Sequence, residues 1–100
     1  MIRNVVSVRL REGLSDEQQA SVDRALDGIA GLRLPGQLSM SAGRDLNLRE
    51  GSWDAAIVSD WADADAYRNY DTHDEHNVYR SLIAEACVDI SRVQYEVQSS

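Results

Sequence analysis

Both histidines of this chain, three of its four tyrosines and a run of acids fall within fourteen residues, Tyr67 to Arg80, reading Y-R-N-Y-D-T-H-D-E-H-N-V-Y-R. Imidazole is the side chain that takes and returns protons near neutrality, so proton transfer is the first chemistry to consider. Thr72 and Glu75 have the T-x-x-E spacing of a capping box, which predicts a helix with Thr72 as N-cap and His73 in its first turn. From His76 onward, Tyr79, Leu82, Ile83 and Ala86 follow at helical spacing and form one apolar stripe. His76 heads that stripe and is expected to point inward. A buried imidazole either bonds a backbone carbonyl as a core residue or acts as a base, and both readings stand at this level. Its charge is equally open. The helix N-terminus disfavours the imidazolium, while Asp74 and Glu75 favour it.

His73 is expected to bridge the turn between two helices rather than serve as a second base. Three residues apart on a helix, His73 and His76 could share a metal with Asp71 or Asp74. No third well-placed ligand is evident, and acids at a helix start ordinarily serve the dipole, so no metal is expected. Cys87 continues the stripe and reads as a small buried hydrophobe, not a nucleophile. All ten basic residues are arginine. Without lysine, Schiff-base chemistry and P-loop phosphate binding are excluded.

The elements that must position this stretch are legible from periodicity. Ile2 to Leu10 alternates, with Ile2, Asn4, Val6, Val8 and Leu10 on one face, and predicts a strand. Ser15 and Gln18 form a second capping box, opening a helix whose buried stripe is Val22, Leu26 and Ile29 and which ends at Gly31. A second strand places Leu38, Met40 and Ala42 on one face and stops at Gly43. A polar loop leads to a third strand, Trp53 to Trp61, with Trp53, Ala55, Ile57, Ser59 and Trp61 on the face toward the helices. Asp63 caps a short helix through Asn69, and the helix bearing His76 follows. The last strand runs from Val88 to Val97. Its apolar phase changes from Val88 and Ile90 to Val93, Tyr95 and Val97, which suggests a bulge near Ser91 and Arg92. Gln98 to Ser100 reads as a frayed tail.

The order βαββααβ predicts a single α+β domain over residues 1–100, a ferredoxin-like sandwich with a four-stranded antiparallel sheet. Helices on one face leave the other needing cover, and that face offers Val5, Ala56, Val58, Val93 and Tyr95. A homodimer packed sheet to sheet is the expectation. Arg9 and Asp60 are expected to pair across the sheet or this interface. Trp53, Trp61, Met40 and Tyr79 read as core first. The small residues between the two tryptophans would also leave a concavity beside His76 for a flat aromatic ligand, unless helix side chains fill it.

Seventeen acids against ten bases argue against nucleic acid and against an anionic membrane surface. No apolar run approaches the roughly 20 residues of a membrane span, and no signal-peptide core opens the chain, so a cytoplasmic location is expected.

Over Val5 to Val97 the chain resembles the stress-responsive dimeric α/β-barrel (Dabb) family. The resemblance rests on Gly43-Arg44-Asp45 after the second strand and on Tyr70-x-x-His73-x-x-His76, similar to the family's Y-x-x-H-P-x-H. Val78-Tyr79-Arg80-Ser81 resembles the olivetolic acid cyclase-type polyketide cyclases within it. Asp74 stands where the family usually has proline, and Asn4 and Ala55 stand where that cyclase has two further histidines. The resemblance implies a dimeric α/β barrel with Tyr70 and His76 as catalytic residues. His76 would be the base and Tyr70 the donor to an enolate oxygen, a pair that needs no cofactor. Trp53, Trp61, Met40, Tyr79, His73 and Asn4 would line the substrate site. The implied activity is a polyketide cyclase or dehydratase acting on an aromatic or β-carbonyl polyketide. The alternatives are a cofactor-independent oxygenase of aromatic polyketides and a non-catalytic, stress-responsive dimer that binds a small ligand.

Overall fold

The computed structural model describes residues 1–98, and so part of the tail expected after Val97 lies outside the described residues. Its elements are β1 (Ile2–Leu10), α1 (Asp16–Ala30), β2 (Gln37–Arg44), β3 (Ala55–Trp61), α2 (Ala64–Asp71), α3 (Asp74–Ala86) and β4 (Cys87–Glu96). The strands form one sheet in the order β2-β3-β1-β4, and every neighbouring pair is antiparallel. This is the ferredoxin-like α+β arrangement that the order of elements predicts.

Alternation along β1 sends Asn4, Val6 and Val8 toward the helices, where they are buried with Ile57 and Ala55 of β3. Val22, Leu26 and Ile29 of α1 and Ile83 and Ala86 of α3 close the core over them. Ser15 caps α1 with both halves of the box present, and Gly31 closes its C-terminus, its N–H donating to the Asp27 carbonyl. The Gly43-Arg44-Asp45 stretch ties layers together: Arg44 Nε donates to Asp23 at 2.9 Å and Nη2 to the Gln19 carbonyl at 3.1 Å.

Several local expectations are corrected. Thr72 does not cap α3; its hydroxyl donates back to the Arg68 carbonyl and it closes α2. His73 is the N-cap instead, its Nδ1 accepting from the Glu75 N–H at 3.2 Å. Leu38 is 57% exposed because β2 slips one residue against β3 between Gln37 and Ser39, leaving Met40 and Ala42 inward. The β4 irregularity falls at Val88, where Leu10 pairs with Cys87 and Arg9 with Asp89. Ser91 and Arg92 pair regularly with Ser7 and Val6. The apolar phase change there marks two faces, Ile90 toward the helices and Val93 and Tyr95 away from them. Cys87, at the α3–β4 junction, is half-buried rather than buried.

On the face away from the helices, Val5 sits between Val58 and Val93, and Val93 and Tyr95 are 57% and 46% exposed. Arg9 and Asp60 do not pair across the sheet of the single chain. Register sets Arg3 opposite Asp60, and its guanidinium forks onto the carboxylate at 2.8 and 3.0 Å. That hydrogen bond holds the Asp60 carboxyl below its ordinary range. Among the described residues no helix is long and apolar enough to cross a membrane.

Candidate active site

The α2–α3 turn sets the chemistry. Tyr70 lies on the last turn of α2, and His76 lies on the first turn of α3, whose apolar stripe points it inward. The two rings stack with centroids 4.0 Å apart, and Tyr70 stacks in turn on Trp61 at 4.7 Å, both pairs tilted by 29°. Trp61 is locked from behind, its indole N–H donating to Ser59 Oγ at 2.9 Å. Three aromatic rings therefore run from the sheet to α3 as one rigid column.

His76 is 5% exposed. Burial, then the positive charge of Arg80, pushes its pKa down to about 4, and the nearby Tyr70 and Asp71 backbone and the Asp71 charge only partly oppose them. At neutral pH the ring is uncharged. Arg80 Nη2 lies 3.3 Å from His76 Nδ1, but nearer still to the Asp71 carboxylate at 2.5 Å and the Asp71 carbonyl at 2.8 Å. That nitrogen has two protons, and Asp71 takes both. Arg80 acts on His76 chiefly as a nearby charge. Tyr70 is raised to about 12, chiefly by burial, so it stays a neutral donor. Its hydroxyl has no partner among the described residues, yet no buried polar side-chain atom there is unsatisfied. The hydroxyl therefore meets open space in the cavity it lines.

That cavity lies between the sheet and α3, with about 40 Å³ of room for water. Val6, Val8, Ile29, Ile57, Ile83 and Ile90 make its apolar wall, and Asn4, Tyr67, Tyr70, Asp71, His76, Arg80 and Arg92 its polar side. Of the residues expected to form the site, the fold brings together His76, Tyr70 and Asn4. Trp61 backs Tyr70 without reaching the cavity wall. Met40 packs between the two apolar clusters. Tyr79 lies across Gly28 of α1, and His73 spends its Nδ1 on the cap.

Trp53 is elsewhere, and the third strand begins later than expected. Asp54 ends the ladder: its N–H donates to the Val8 carbonyl and its carboxylate takes the Leu10 N–H. Alternation therefore stops at Ala55, and Trp53 lies under the Arg9 guanidinium, 4.5 Å from the ring centre. The concavity expected between two tryptophans is instead bounded by Tyr70 and the isoleucines.

Sequence reasoning did not single out Tyr67, Asp71, Arg80 and Arg92 for the site. Arg80 had a local signal, since it is one helical turn past His76. Arg92 shares the strand face of Ile90, two residues on.

The profile described as "Stress responsive A/B Barrel Domain" (Dabb) matches residues 2–97. The chain belongs to this family. No protein of curated function matches the sequence. Among solved structures it is similar to a dimeric ferredoxin-like protein of unknown function from Thermobifida fusca, with 29% identity and TM-score 0.83, covering 96% of this chain and 90% of that one. A dimeric protein of unknown function and ferredoxin-like fold from Bacteroides fragilis aligns at 23% identity and TM-score 0.84, over 96% and 95%. The hydroxynitrile lyase of Passiflora edulis aligns at 17% identity and TM-score 0.76, over 99% and 94%, and shares the fold.

Proposed function

We propose that this protein is a cofactor-free acid–base catalyst that removes a proton next to a carbonyl, as in the aldol cyclisation and dehydration of a β-carbonyl compound derived from a polyketide. The observation that carries the reading is a neutral, buried imidazole stacked on a buried phenol whose hydroxyl is free, both facing one largely apolar cavity. His76 takes the proton, and Tyr70 donates to the oxygen that gains charge as the enolate forms. Burial makes His76 a weak base, so its substrate carbon must be acidified by two flanking carbonyls. The enolate then stabilises the imidazolium beside it. The working unit is a homodimer joined through the Val5, Val58 and Val93 face, as supported by the dimeric structures the chain resembles.

Purified protein supplied with a panel of poly-β-ketones should release cyclised product with no oxygen uptake. His76→Gln should lower kcat/KM by about 10²–10⁴, and Tyr70→Phe by about 10²–10³. Normal turnover by both variants would refute the reading, and oxygen consumed in step with product would assign the oxygenase instead.

The size of the cavity favours a second reading. Its 40 Å³ is far below the ~300 Å³ of an ordinary ligand pocket. An extended polyketide enters only if the cavity widens, whereas a compact hydroxylated adduct needs less movement. The same pair could then deprotonate a hydroxyl and release a carbonyl, a lyase reaction in keeping with the name of the Passiflora neighbour. Cleavage of small cyanohydrins with no turnover of β-polyketones would select it.

A further inference from the structure

The polar part of the cavity wall has a consistent character. Asn4 Oδ1 accepts from Gln94 Nε2 at 2.8 Å, which leaves the Asn4 amide N–H groups without an acceptor among the described residues. Asn4 is buried and no buried polar atom there is unsatisfied, so those N–H groups meet the cavity. The Tyr70 hydroxyl is free beside them. The cations differ in one respect. Arg80 is neutralised by Asp71, whereas Arg92 has no carboxylate within ion-pairing distance among the described residues.

Arg92 sits on the helix-facing side of the edge strand β4, opposite the buried Val6, and is itself exposed, so it joins the cavity to solvent. It lines the same cavity as Tyr67 and Tyr70. An unpaired cation that both lines the cavity and reaches solvent is placed to meet an anion entering it.

We infer that the ligand of this cavity is a carboxylate: a compact β-carbonyl acid with its unsaturated or aromatic part against Ile57, Ile83 and Ile90 and its carboxylate on Arg92, assisted by Asn4. The fork of a guanidinium matches a carboxylate with two charge-assisted hydrogen bonds, and an amide N–H supplies a further donor. The inference deepens the acid–base reading by naming the substrate class, and it rests on that reading only for the site being the catalytic one. A bound carboxylate also supplies negative charge on the side of the cavity where arginines disfavour the imidazolium.

The test uses the whole protein and three pairs of probes: acetate with acetamide, crotonate with crotonamide, and benzoate with benzamide. Binding is followed by the ring signals of His76 and Tyr70. The acid of the two larger pairs should bind at least about fivefold more tightly than its amide, the scale of a part-exposed charge pair. The preference should shrink with salt and vanish in Arg92→Gln, while His76→Gln keeps it. Equal binding of acid and amide, an unchanged preference in Arg92→Gln, or no response to any probe would overturn the inference. Because the readout is binding, loss of the carboxylate preference with His76-dependent turnover intact would overturn this inference alone. A preserved preference with His76-independent turnover would overturn the acid–base reading alone.

Discussion

His76 is uncharged because water is largely excluded from it and Arg80 stands beside it, and that state links the site to stability. Its folded pKa of about 4 lies below the ordinary 6.5, so between those values the unfolded chain binds more proton. The stabilisation is fully present above about pH 6.5 and is lost as pH falls toward 4. The full shift corresponds to roughly 3 kcal/mol, reduced by whatever water reaches the ring in the cavity. Urea unfolding of the parent chain should show stability falling between pH 6.5 and 4, and His76→Gln should flatten that slope. Asp60 does not confuse the result, because its lowered pKa puts its loss below the window. Identical slopes in the two proteins would mean that His76 titrates freely. The sequence showed that His76 points inward, since the stripe to Ala86 is local. It did not show the winning charge. The helix N-terminus on one side and Asp74 and Glu75 on the other were the visible candidates, whereas burial and Arg80 dominate.

At the scale of elements, the site depends on how closely α3 approaches α1, and one glycine sets that distance. An ideal Cβ at Gly28 would lie 2.4 Å from the Tyr79 ring, closer than side chains tolerate. Tyr79 belongs to the same stripe as His76, so pushing its ring away displaces the helix that presents the base. Gly28→Ala gains about 1 kcal/mol of helix propensity but overpacks the contact by about 1–3 kcal/mol. We expect a net loss of melting temperature together with a changed His76 titration. A stabilised protein with an unaltered His76 would show that Tyr79 can move aside freely. The starts of α1 and α2 and the apolar stripes were readable because caps and 3.6-residue periodicity are local, whereas the T-x-x-E spacing at Thr72 misled, because Thr72 closes α2 and His73 caps α3. The slips at Leu38 and Val88 were not, since a bulge is a relation between two strands.

For the whole molecule, the open sheet face carries the prediction. Val93 lies opposite Val5 at its centre and is exposed in the single chain. A charge there is harmless to a lone subunit but costs several kcal/mol if a second sheet covers it unpaired. Val93→Asp should therefore sediment at 11.1 kDa where the parent sediments as a dimer, with its secondary structure kept. A Val93→Asp dimer would move the interface off this face.

Alternation and helical spacing in the chain itself determined the order of elements, the inward stripe from His76, the core positions of Val6, Val8, Leu26 and Ile29, and the apolar open face. Each of these is a property of a few neighbouring residues. Only the tertiary structure decided which side chains share the cavity. The β2-β3-β1-β4 order sets β1 beside β4, so Asn4 and Arg92, almost ninety residues apart, line one cavity with Tyr70. Asp54 ends the β3 ladder and sends Trp53 elsewhere. The charge on His76 was decided there too, because a pKa sums water and charge over several ångströms in space, and sequence distance does not enter that sum.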